Sequence, residues 1–227
     1  MARALARTSD TAGQYISCGN AAALNPQSNM SVACWAYPTS SAVGQTAHMY
    51  VTRDGSSSAR CYTLMRQAFT GTANRFYCEI FKNNTTGTSL NSTTVGATDT
   101  WYHICLTYKF VTDGTSELRL YVNGSQEASS TAAVGPINQQ TAAVEIGRRT
   151  FSGANYPANA RMAEVAIYNR TLSADEVASL ADGMTPDKVS PQGLVLYAPL
   201  VRDLIDLKGN TLTDFSTTVA DHLRVYA

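Results

Sequence analysis

The stretch Trp101-Tyr-His-Ile-Cys-Leu-Thr-Tyr-Lys109 decides the fold class. In an extended chain Trp101, His103, Cys105 and Thr107 share one side, and Tyr102, Ile104, Leu106 and Tyr108 share the other. That pattern marks a strong core strand. Further on, Leu118-Arg-Leu-Tyr-Val122 runs straight into Asn123-Gly124. Asn-Gly accepts the positive φ angles of a type I′ turn, so a hairpin into residues 125–130 is predicted.

Working outward, Met30-Ser-Val-Ala-Cys-Trp-Ala-Tyr37 reads as a strand that stops at Pro38. Residues 47–52 and 60–67 read as two more, separated by Asp54-Gly55 and three serines. Residues 74–82 form another, ending in the polar loop Asn83-Asn-Thr-Thr-Gly87. Residues 143–148 and 161–168 complete the run. Strands that recur with turn signals between them predict an all-β sandwich rather than an α/β alternation. One helix is marked near 173–182. Ser173 and Glu176 make a capping box, and Asp175 suits the positive helix start. Val177, Leu180 and Ala181 form one side, and Gly183 then Pro186 are expected to stop it. A helix of about ten residues persists only if it packs on the sandwich.

After Pro186 the pattern restarts with Gly193-Leu-Val-Leu-Tyr-Ala-Pro-Leu-Val201, an Asp206-to-Asn210 turn, and one or two short strands within 211–225. The division expected is a sandwich over 1–185 and a tail over 186–227. The tail either completes the sandwich or docks on a partner.

The 227 residues carry 17 basic and 17 acidic side chains, a net charge of zero. That balance argues against a strong electrostatic footprint for nucleic acid or an anionic membrane. Charged residues are 15%, below the roughly 25% of an average soluble protein, and hydrophobic residues are 44%, enough for a sizeable core. Serine and threonine make up about a fifth of the chain, which favours strands and loops. No apolar run approaches 18 residues, so no membrane span is expected. The start, Met1 to Asp10, has two arginines without an apolar run behind them, so no secretory signal is read there. Cys18, Cys34, Cys61, Cys78 and Cys105 are odd in number, widely spaced and without a Cys-x-x-Cys. Buried free thiols are expected, rather than a zinc site or disulfides.

The ordered set Trp101 to Tyr108, Leu118 to Gly124, Val144-Glu-Ile-Gly147 and Ala163 to Val177 resembles the laminin G-like branch of the concanavalin A-like lectin/glucanase superfamily. Tyr15-Ile16, Leu24-Asn-Pro26 and Ser31 to Pro38 fit the same layout. The resemblance covers about residues 10–183 and implies a jelly-roll sandwich of two curved antiparallel sheets. Such domains often begin with an apolar strand and an Asp-x-x-Gly-Asn turn; here the look-alike, Leu194 to Asn210, follows the helix. Residues 193–222 resemble the tails of phage-encoded laminin G-like structural proteins.

Glucanases of the superfamily use carboxylates spaced along one strand, because retaining hydrolysis needs two carboxyl groups about 5 Å apart. Glu79, Glu145 and Glu164 have no same-face partner along their own strands, so an enzyme of that kind is not expected. His103 reads as a hydrogen-bonded core histidine, and His48 and His222 as surface or edge groups. No Gly-x-Ser-x-Gly elbow occurs. The resemblance makes calcium a possible cofactor, with Asp54, Asp113 and Asn123 as weak candidates in separate turns. The remaining site candidate is the loop Gly147-Arg-Arg-Thr-Phe-Ser-Gly-Ala-Asn-Tyr-Pro157. Its Arg148, Arg149, Phe151 and Tyr156 are the residue types that enrich contact surfaces and stack on sugars. These readings lead to a non-enzymatic virion structural protein, such as a capsid decoration or head/tail fibre component. Its partners would be capsid or tail proteins, or further copies of itself. The alternative is a carbohydrate-binding adhesion module of a bacterial surface.

Overall fold

A computed structural model describes residues 2–7, 9, 13–40, 47–55, 59–67, 73–150 and 156–221. Its strands are β1 (Ala2–Leu5), β2 (Tyr15–Ser17), β3 (Asn29–Pro38), β4 (His48–Asp54), β5 (Arg60–Arg66), β6 (Arg75–Phe81), β7 (Gly87–Val95) and β8 (Tyr102–Lys109). They continue as β9 (Ser116–Val122), β10 (Ser125–Ala133), β11 (Glu145–Ile146), β12 (Ala160–Tyr168), β13 (Leu194–Ala198), β14 (Thr213–Phe215) and β15 (Thr218–Ala220). One sheet of eight runs β10-β9-β8-β3-β12-β1-β15, with β13 also on β12; a sheet of seven runs β14-β2-β11-β4-β5-β6-β7. The fold is the expected all-β sandwich of two antiparallel sheets.

Strand β8 lies between β9 and β3, and both its faces are buried. Tyr102, Ile104, Leu106 and Tyr108 enter the core between the sheets. Cys105 looks the other way, into a second cluster with Ala33, Tyr121, Ala166 and Tyr168. That cluster is roofed by Leu172, Val177 and Leu180, so the helix α1 (Ala174–Ala181) covers the back of the larger sheet. Ser173 and Glu176 form the capping box in full. The helix ends before Gly183 (φ 97°) as expected, and Pro186 then opens a further turn, α2 (Pro186–Val189). Proline fits a helix's first turn, where its missing N–H would have no partner and its φ is already set.

Asn123 (φ 49°) and Gly124 (φ 81°) build the β9–β10 turn, and Val122 faces Ser125 across it. Strand β7 escapes a reading based on apolar alternation, because Gly-Thr-Ser-Leu-Asn-Ser-Thr-Thr-Val has none. It is an edge strand with mostly half-exposed or exposed side chains, held by its register on β6.

The tail supplies strands to both sheets. β13 pairs with the C-terminal half of β12, where β1 has stopped. β14 pairs with β2 and β15 with β1. On this side Arg3 of β1 reaches Asp214 of β14 at 3.4 Å. On the opposite side the Glu127 carboxylate of β10 accepts from the Thr94 amide (2.8 Å) and hydroxyl (2.5 Å) of β7. All five cysteines are free and buried.

Candidate functional site

One row of residues crosses the smaller sheet from edge to edge. Thr213 faces Ser17, Ser17 faces Glu145, Glu145 faces Thr52, Thr52 faces Thr63, Thr63 faces Glu79, and Glu79 faces Ser89. Directly opposed residues share a face. Their chain neighbours Ile16, Ile146, Val51, Leu64 and Cys78 belong to the core, so the polar row looks outward.

The segment beginning at Gly147 folds over this row. Gly147 has φ 86°, and a Cβ there would stand 2.1 Å from Leu5 Cδ2, so the sharp departure from β11 requires glycine. The Thr52 hydroxyl donates to the Arg148 carbonyl at 2.9 Å, tying the segment down. Arg148 pairs with Glu145 at 2.5 Å and lies 3.5 Å over the Tyr15 ring, which stacks on Phe215 at 4.0 Å. Arg149, 7% exposed, pairs with Asp54 at 3.0 Å. Asp54 also accepts from the Cys61 amide (2.8 Å) and the Thr63 hydroxyl (3.1 Å). Arg60 pairs with Glu79 at 3.4 Å and lies over Phe81. Tyr156 packs against the cluster of Ala47, Met49 and Met65, as does Tyr77. Phe151 lies outside the described residues.

The sheet therefore gathers Asp54, Glu79 and Glu145 from three strands onto one face, which inspection along single strands misses. Each is matched by an arginine within 3.4 Å. Burial raises the pKa of Asp54 and of Glu79, while Arg149 and Arg60 respectively pull the other way. Burial lowers the pKa of Arg149, against the pull of Asp54. The arrangement is a set of neutralised pairs beneath a loop.

The calcium candidates are not brought together. Asp54 is 2% exposed and its oxygens are engaged as above. Asp113 pairs with Lys82 at 2.6 Å, and Asn123 Oδ1 accepts from the His103 amide at 2.9 Å. Among the described residues no three His, Cys, Asp or Glu side chains converge as metal donors. These residues do not fit a calcium site.

One histidine expectation needs correcting, and another is met in its burial. His48 is 1% exposed rather than a surface group, because it opens β4 directly opposite the buried Arg66. Burial, with Arg66 and Arg7, takes its pKa down to about 4. His103 is buried beside Trp35, but its Nδ1 has no hydrogen-bond partner, and burial takes it down to about 3. Both are neutral imidazoles near neutral pH. His222 lies outside the described residues. Tyr108 is fully buried, its hydroxyl donating to the Val134 carbonyl at 3.0 Å.

Two open clefts adjoin at one end of the sandwich. One, of about 250 Å³, is lined by Asn25, Gln139, Gln140 and Thr141. The other, of about 380 Å³, is lined by Cys18, Gly19, Asn20, Ala21, Gly209, Asn210 and Thr211. Asn20 connects them by donating to the Thr141 carbonyl at 3.2 Å. Asn84 Oδ1 accepts from Asn138 Nδ2 (3.0 Å) and Gln140 Nε2 (3.1 Å), which orients the Gln140 carboxamide. Among the described residues no charged side chain lines either cleft. Sequence reasoning missed this wall because its amides come from four separate loops, with no local motif.

The Laminin_G_3 family model of the concanavalin A-like lectin/glucanases superfamily matches residues 10–178. The chain belongs to this superfamily. The tail beyond residue 178 lies outside the match. No curated protein matches the sequence significantly. Among solved structures, a Bacteroides ovatus protein classed as carbohydrate-binding is similar, with TM-score 0.69 and 18% identity over 96% of this chain and 61% of that one. The chain thus spans about three fifths of that protein's length. The heptameric SAP-like pentraxin of Limulus polyphemus gives TM-score 0.64 and 12% identity, covering 96% and 94%. The binding domain of Paraclostridial Mosquitocidal Protein 1 gives 0.56 and 12%, covering 79% and 45%. At such identities these likenesses establish a lectin-like fold.

Proposed function

We propose that this superfamily member is a non-enzymatic binding module that holds a neutral glycan in the two amide-walled clefts. The observation that carries the reading is the meeting of Asn25, Gln139 and Gln140, three carboxamide residues, on one cleft whose described lining carries no charged side chain. A carboxamide offers a donor pair and an acceptor side by side, which suits the adjacent hydroxyls of a sugar ring. The carbohydrate-binding name of the B. ovatus protein supports the same class. The Arg148 and Tyr156 side chains sit on the neighbouring sheet face and are a second place where a longer glycan would make contact.

The test is a glycan array in calcium-containing buffer, followed by calorimetry on the strongest hit. Gln140→Ala and Gln139→Ala are expected to weaken binding at least tenfold, a loss of about 1.4 kcal/mol or more. Arg148→Ala and Tyr156→Ala are expected to matter less. An array without signal would sink the reading, and turnover of a β-glucan would sink its non-enzymatic half.

A specific observation favours a second reading. Ile205, Leu207, Phe215 and Val219 are all more than 40% exposed, and all lie in the tail. On a virion, as a capsid decoration or fibre component, these side chains would be covered by capsid or tail proteins or by further copies of the chain. Co-sedimentation with assembled particles, lost in Phe215→Ser, is the expected result. Protein that stays monomeric and never sediments with particles excludes it.

A further inference from the structure

Strand β12 changes partner half-way along, and Glu164 sits at the change. Residues 160–162 pair with β1, and 165–168 pair with β13. Between Ala163 and Ala166 the register with β3 slips, a β-bulge. Glu164 has φ 51°, a left-handed conformation that costs a non-glycine residue energy. Such a conformation persists only where its surroundings hold it. Two contacts do so, and both come from the tail. The Glu164 amide donates to the Pro199 carbonyl at 3.1 Å, and the Tyr197 hydroxyl donates to Glu164 Oε2 at 2.5 Å. Glu164 is 8% exposed and Tyr197 3%. Leu200, just after Pro199, also has a positive φ of 58°.

We propose that the Glu164 carboxyl and the Tyr197 hydroxyl form a proton-operated latch that holds β13 and the chain after it against β12. The rest of the tail hangs from the same strand. The Tyr197 amide donates to Asp206 Oδ1 (2.6 Å), the Leu207 amide to the Tyr197 carbonyl (2.9 Å), and Asn210 Nδ2 to the Val195 carbonyl (2.8 Å). These bonds cover the outer edge of β13, so whatever loosens Tyr197 loosens residues 194–210 together.

The groups around Glu164 set the direction. From β13 comes Tyr197, whose own pKa is pushed up by burial and by Glu164, so it stays a neutral donor. From α2 comes the negative Asp187, which pushes in the same direction as burial. From β3 the residue opposite the bulge is Cys34, a buried thiol whose pKa burial also raises. Burial dominates and lifts the Glu164 carboxyl to about 7, with the Tyr197 bond pulling down and Asp187 pushing up. Its folded pKa thus exceeds the ordinary carboxyl value near 4.3. The stability it contributes is present below that value and is lost as pH rises through about 7. The proton leaves to solvent; the Tyr197 bond favours the ion, but the cost of burying a carboxylate that no side-chain cation among the described residues neutralises outweighs that bond.

The experiment compares wild type, Glu164→Gln and Tyr197→Phe by thermal melts and hydrogen exchange between pH 5 and pH 8. Wild type and Glu164→Gln are expected to melt alike at pH 5. At pH 8 wild type melts lower by roughly 5 °C. After correction for intrinsic rates, the Leu207 and Asn210 amides of wild type lose at least tenfold protection at pH 8 relative to Glu164→Gln, while β8 and β9 hold. Tyr197→Phe removes the bond that favours the carboxylate, so its transition moves to higher pH. Identical pH profiles for wild type and Glu164→Gln overturn the latch, as does a protection loss spread evenly over β8, β9 and the tail. Should Glu164→Gln fail to fold, an unshifted transition in Tyr197→Phe overturns it.

Discussion

Tyr50 is completely buried, and its hydroxyl has no hydrogen-bond partner. A buried hydroxyl without a partner forfeits its hydration and gains nothing in return. Tyr50→Phe is therefore expected to leave urea stability unchanged or raise it by about 1 kcal/mol. A loss of that size would show that the hydroxyl is bonded after all. His48 and His103 make the opposite kind of statement. Their folded pKa values of about 4 and 3 lie below the ordinary imidazole value near 6.5. The unfolded chain binds their protons first, so the stability they support is present above pH 6.5 and is lost as pH falls toward 4. His103→Phe keeps an aromatic ring beside Trp35 and removes the titration. Its melting temperature is expected to fall less than that of wild type between pH 6.5 and pH 4.

At the scale of the element, α1 is short and owes its place to its cap and its buried side. Ser173→Ala removes the bond to the Glu176 amide and is expected to cost about 1 kcal/mol in chemical denaturation. This helix was legible in sequence because capping is local: Ser173, Glu176, Val177 and Leu180 lie within eight residues. Strand β8 and the Asn123-Gly124 turn were legible for the same reason. Strand β7 was not, since an edge strand of polar residues is specified by its neighbour's register and not by its own pattern. The loop 147–157 stands out in sequence for its two arginines and its aromatic residues. What sequence could not give was the destination of those groups, because Glu145, Asp54 and Tyr15 lie far apart in the chain. The amide clefts were invisible in sequence for the same reason: Asn25, Asn84 and Gln140 meet only once the loops are in place.

At the scale of the whole molecule, the tail lends an outer strand to each sheet, and Arg3 crosses between them to Asp214. Leu194, Leu196, Tyr197 and Ala198 are part of the two buried clusters. A chain ending at residue 185 would bare those cavities and leave the edges of β12, β1 and β2 unpaired. It is expected to be insoluble or to melt at least 10 °C lower, read by light scattering and calorimetry. A soluble fragment with unchanged melting would mean that the tail is dispensable.

The five unoxidised cysteines give the molecule a built-in gauge of its own opening. Burial keeps their protons on, and each sulfur is shut in by packed side chains. A maleimide added to the native protein can react only as fast as the chain admits it. Cys18, in the wall of a cleft, would be labelled by local breathing, and Cys105, under the helix, only by deeper disruption. Mass spectrometry of the labelled sites would rank how readily each layer yields.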